Sequence, residues 1–87
     1  MNTAPAPSSL ERLRAKTDRQ LAVLLRRELD RGLAHANQAR PYDARRSYQT
    51  AEALLAMAEM SAADRFRLQQ KLDQLRDALP RCAMSAA

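Results

Sequence analysis

An all-α fold is what this sequence predicts: a three-helix bundle, or a helical hairpin with a third helix packed on it, in which helix one is long. The 87 residues are rich in Ala, Leu, Arg, Gln, Glu and Met, which lose little entropy in a helix, and hold one Val, no Ile and three aromatics. Apolar residues recur in steps of three and four along three stretches, and a proline or an N-cap signal stands at each boundary between them. A chain of this length forms one domain and hides only about 60% of the surface its unfolded form exposes, so the core is small and no second catalytic domain fits.

Residues 1–7, with Pro5 and Pro7 among small and polar side chains, read as a disordered tail. Ser8 and Glu11 then form a capping box that opens helix one. Its stripe runs through Leu10, Leu13, Thr17, Leu21 and Leu24 and drifts to Leu25, Leu29, Leu33 and Ala36, so the spacing predicts one helix over roughly 9–39. Thr17 and Gln20 form a second capping box that would instead break this helix in two. Gly32 lies within the pattern at a cost of about 1 kcal/mol relative to Ala, tolerable where another backbone approaches.

Pro41 cannot continue helix one, and the chain turns over 37–41. Ala44, Tyr48, Ala51, Leu54 or Leu55, and Ala58 then predict a helix over about 42–59. Ser61, with Asp64 three residues on, reads as the cap of a third helix over about 62–79, striped by Leu68, Leu72, Leu75 and Leu79 and stopped by Pro80. The domain is thus expected over 8–80, with 81–87 frayed. Short turns make neighbouring helices antiparallel.

Gly32, Ala44, Tyr48 and Ala51 follow a small, small, aromatic, small rhythm. Over roughly 28–58 this resembles a single tetratricopeptide helix pair, although Glu28, Arg31 and Ala56 stand where that family has Trp, Leu and Pro. The Ala and Tyr spacing is also similar to three-helix microtubule-interacting-and-transport domains. In size, in its Leu-rich first helix and in Arg31-Gly32, the chain resembles small co-chaperones of needle-forming secretion systems. Each resemblance implies a role in binding another protein.

The formal charge is +5. Residues 1–46 carry ten basic and five acidic side chains and residues 47–87 five of each, so all of the excess lies in the first half. Arg12, Lys16, Arg19 and Arg26 share one side of helix one, a basic face suited to steering an acidic partner. Nucleic acid is the less favoured occupant of that face, because Asp18, Glu28 and Asp30 interrupt the basic run and aromatics for stacking are few. Arg26 and Asp30 are spaced for an i, i+4 ion pair.

Catalytic chemistry finds no constellation. His35 is the sole imidazole and reads as a helix-end residue; Cys82 has no second thiol; Asp73 and Asp77 share a helix face with no pocket implied; one glycine makes no phosphate loop. The chain is therefore expected to be no enzyme and to use no cofactor or metal. It has no apolar run of membrane-spanning length, and its first nine residues hold no charged start to an export signal, so a cytoplasmic location is expected.

The function expected is a small helical interaction module, whether adaptor, chaperone-like subunit or self-associating scaffold, whose partner is another protein or a second copy. Leu25, Leu29, Leu33, Tyr48, Leu55, Met57 and Leu72 are to divide between core and interface, with Val23 on the basic side as a sign of a spare apolar strip. The alternative is a nucleic-acid-associated protein using the basic face of helix one.

Overall fold

A computed structural model describes residues 9–86. They form three α-helices, α1 over Ser9–Asn37, α2 over Pro41–Met57 and α3 over Ala62–Ala86, with no strand among the described residues. Each helix packs against the other two, an all-α bundle. The tail 1–7 and the Ser8 cap lie outside the described residues.

Helix α1 is unbroken. The Thr17 hydroxyl donates to the Leu13 carbonyl at 2.9 Å, a bond back into the preceding turn, so Thr17 sits in the helix interior and the second capping box is not formed. At its end the Arg40 N–H donates to His35 O (2.9 Å) and the Ala39 N–H to Ala36 O (3.2 Å). This paired closure places Ala39 in the left-handed region, at φ 56°, where glycine is the usual occupant. Pro41 follows as an opening residue of α2, where a missing N–H costs nothing.

Between α2 and α3 the backbone is extended at Ala58 (φ −81°, ψ 138°). The Ser61 hydroxyl accepts the Asp64 N–H at 3.1 Å, the cap expected of it. From the first turn of α3 the Arg65 guanidinium donates to the carbonyls of Leu55 (3.2 Å) and Ala58 (2.6 Å), satisfying acceptors that the end of α2 leaves open.

Pro80 does not stop α3, which runs through it to Ala86. The expected end at 79 is corrected for a packing reason: Leu79 lies half-buried against the core and Cys82 is only 3% exposed, so apolar burial on both sides of the proline offsets the lost hydrogen bond. Cys82 is accordingly an interior thiol and not part of a loose end.

The core is made by Leu25 and Leu29 of α1, Ala44, Ala51 and Leu55 of α2, and Leu68, Leu72 and Leu75 of α3. Its tightest point is Gly32. A Cβ built there would stand 2.6 Å from Leu75 Cδ2 and 2.9 Å from Ser47 Cβ, so all three helices meet around a missing side chain. No buried side-chain nitrogen or oxygen among the described residues lacks a hydrogen-bond partner.

Two substitutions test this account in urea denaturation. Gly32→Ala gains about 1 kcal/mol of helix propensity, but Ser47 Cβ is fixed to its backbone and α2 must move to admit a methyl. Overpacking of about 1–3 kcal/mol should win, giving a net loss, and a variant as stable as the parent would contradict the close crossing. Ala39→Gly should raise stability by about 0.5–1 kcal/mol by relieving the left-handed alanine; unchanged or lower stability would argue against the closure described.

Candidate protein-binding face

Register decides what α1 leaves uncovered. Gly32 lies against Ser47 of α2 and Leu75 of α3, and Lys71 of α3 meets Asp30 of α1 at 2.6 Å. Ten residues on from Ser47, α2 ends at Met57, opposite Ala22; thirteen back from Leu75, α3 begins at Ala62, opposite Arg19. The start of α1, from Ser9 to about Arg19, therefore overhangs the bundle by about 16 Å at 1.5 Å per residue.

The overhang is apolar along one side. Leu10 is 75% exposed and Leu13 61%, and where the overhang joins the body Leu24 is 51% exposed, while Val23, 47% exposed, lies on the basic side beside Arg26. At 3.6 residues per turn, Leu10, Leu13, Thr17 and Leu24 fall within an arc of about 60°, turned about 100° from the side on which Leu25, Leu29 and Ala36 face the core. Lys16 and Arg27 run along one border of this stripe and Arg14 along the other, with Gln20 between Thr17 and Leu24. Among the described residues no ion pair engages Arg14, Lys16 or Arg27.

Arg12, Lys16, Arg19 and Arg26 are all exposed. Arg12, Arg19 and Arg26 lie behind the leucine stripe and Lys16 borders it. The expected Arg26 to Asp30 pair does not form, because Asp30 turns to Lys71 across the α1/α3 contact. Arg26 instead lines a groove with Ala22, Val23, Asp64, Arg67, Leu68 and Lys71 between these helices.

The seven residues expected to divide between core and interface divide unevenly. Leu25, Leu29, Leu55 and Leu72 are interior, at 0–5% exposure, and cannot reach a partner while the bundle stays closed. Leu33 and Tyr48 are half-buried against the core. Met57, 67% exposed at the end of α2, is the one with a free side chain.

Leu10, Leu13 and Leu24 are the candidate contact residues that the interface expectation left out. Their signal was present: Leu24 and Leu25 are adjacent, so one helix cannot point both at the same core, and the core-facing side of the overhang carries Glu11 and Asp18. The remaining ionisable candidates occupy ordinary places. His35 is half-buried in the last turn of α1. Arg76 pairs with both Asp73 (3.5 Å) and Asp77 (3.4 Å), and Gln69 donates to Asp73 at 2.9 Å.

No family model, curated protein or solved structure matches this chain. Among the described residues no helix is long and apolar enough to cross a membrane.

If the leucines of the overhang do no work within the bundle, Leu13→Ala should change the urea-derived stability by less than about 0.5 kcal/mol. Leu29→Ala, at a fully buried position, should cost about 2–5 kcal/mol. Comparable losses at the two positions would place the overhang inside the cooperative fold.

Proposed function

We propose that this chain is a protein-protein interaction module, an adaptor or chaperone-like subunit, that presents the leucine stripe of α1 to a partner. The supporting observation is the exposed stripe of Leu10, Leu13 and Leu24, with Thr17 and Gln20 between them, on a helix that has outrun its own bundle. Most helical stability in proteins comes from packing of an apolar face, and the exposed leucines of the overhang would gain it from a surface that lies along them. Each leucine taken fully out of water contributes about 1.5–3 kcal/mol, enough for two or three of them to anchor a transient contact.

A nucleic-acid reading draws on the other side of the same helix, where Arg12, Arg19 and Arg26 are exposed together. It makes no use of the leucines and requires binding that falls steeply with salt as counterions are released. The leucine stripe, which phosphates do not recognise, favours the protein.

The deciding experiment recovers the tagged chain, and a Leu10→Glu, Leu13→Glu double variant, from nuclease-treated extract of the source cells at moderate salt. A protein retained in stoichiometric amount by the parent and lost by the double variant, with unchanged circular dichroism in both, is the expected result. Equal retention by both forms would remove the stripe from the interface, and loss of all binding on nuclease treatment would favour the basic side.

A further inference from the structure

Over the overhang the charged residues that flank the leucine stripe are cationic, and the acidic Glu28, one turn past Leu24, is already paired with Arg31 at 3.1 Å. Arg14 on one side and Lys16 and Arg27 on the other are cationic and, among the described residues, in no ion pair, while Asp18 of the overhang lies toward the core-facing side of the helix. The stripe itself steps 10, 13, 17, 24, with Gln20 filling the missing position, which is the alternation of threes and fours that forms the narrow seam between two packed helices. Thr17 at its centre has already donated its hydroxyl to Leu13 O, so the seam demands no polar partner there. From Leu10 to Leu24 it measures about 21 Å, four turns of helix.

Resting on the reading of the overhang as the contact face, we propose that its occupant is an acidic amphipathic helix of another protein, about four turns long, whose apolar side lies along Leu10, Leu13, Thr17 and Leu24 and whose flanking carboxylates meet Arg14, Lys16 and Arg27. A second copy of this chain is the poorer occupant. Paired parallel, the Lys16 border of one copy meets the Arg14 border of the other; paired antiparallel, each border meets its own kind. Both arrangements bring cations together at the rim of an apolar seam, where like charges oppose association. A helix with Glu or Asp on its borders converts the same rim into attraction and speeds encounter with a chain of charge +5.

The probe is a synthetic four-turn amphipathic peptide with leucines along its seam and glutamates on both borders, set against the same peptide with lysines in their place, each titrated into the full-length chain and followed by amide NMR shifts. The glutamate peptide should perturb amides over 10–27 and bind at least about tenfold more tightly than the lysine peptide. That preference should vanish in an Arg14→Glu, Lys16→Glu, Arg27→Glu variant, and binding should be lost in Leu10→Glu, Leu13→Glu. Equal binding of the two peptides, or shifts confined to α2 and α3, would overturn the proposal, as would a dimer in sedimentation equilibrium that the leucine variant dissociates. The two proposals fail separately: a cellular partner lost with the leucines but kept by the charge-reversed variant retains the contact face and rejects the acidic helix, whereas a partner insensitive to both rejects the face itself.

Discussion

The missing side chain at Gly32 is the constraint from which the rest of the geometry follows. There the backbone of α1, the Cβ of Ser47 and the tip of Leu75 come within a distance that a methyl could not share. A contact that close admits no sliding by a residue or two, because the next positions along α1 carry side chains. It fixes α2 and α3 against α1 in one register, and the lengths of the three helices then decide what is left over. With 29 residues in α1 and 17 in α2, the surplus falls at the start of α1.

The helix ends hold that register in place. The closure at Ala39 and Arg40 ends α1 by tying its last carbonyls, and Pro41 starts α2 without a wasted donor. At the far end Arg65 reaches back over the α2 terminus while Ser61 caps α3, so the short link is bound from both sides. Neither device acts on the overhang. Its helical form depends instead on propagation from the packed part of α1, since adding a turn to an existing helix avoids the cost of nucleating one.

Much of the fold was legible in the sequence. Steps of three and four, Pro41 and Ser61 give three helices and both turns, and the Gly32, Ala44, Tyr48 and Ala51 rhythm marks residues that are buried or half-buried where the helices meet. What was not legible depends on tertiary context. Pro80 ends a helix on local grounds, and only the burial of Cys82 beyond it carries α3 onward. Asp30 has a local partner in Arg26 and takes a distant one in Lys71, a choice that spacing along one helix cannot reveal. The candidate face was half legible: the stripe and its drift were readable, but whether Leu10 and Leu13 faced a core depended on where α2 stopped.

The angle between the two apolar stripes of α1 is what makes the proposed contact face compatible with a closed bundle. Were the exposed leucines in line with Leu25 and Leu29, a partner would extend the core along one seam and compete with α2 and α3 for the same side of the helix. Turned by about 100°, the stripe lets a partner helix lie alongside α1 with the bundle closed. The two stripes run together only around Leu21, Leu24 and Leu25, where the chain passes from overhang to body. A partner docked as proposed would therefore meet the core through that junction, apart from the buried Leu29, Leu55, Leu72 and Leu75 that fold this chain.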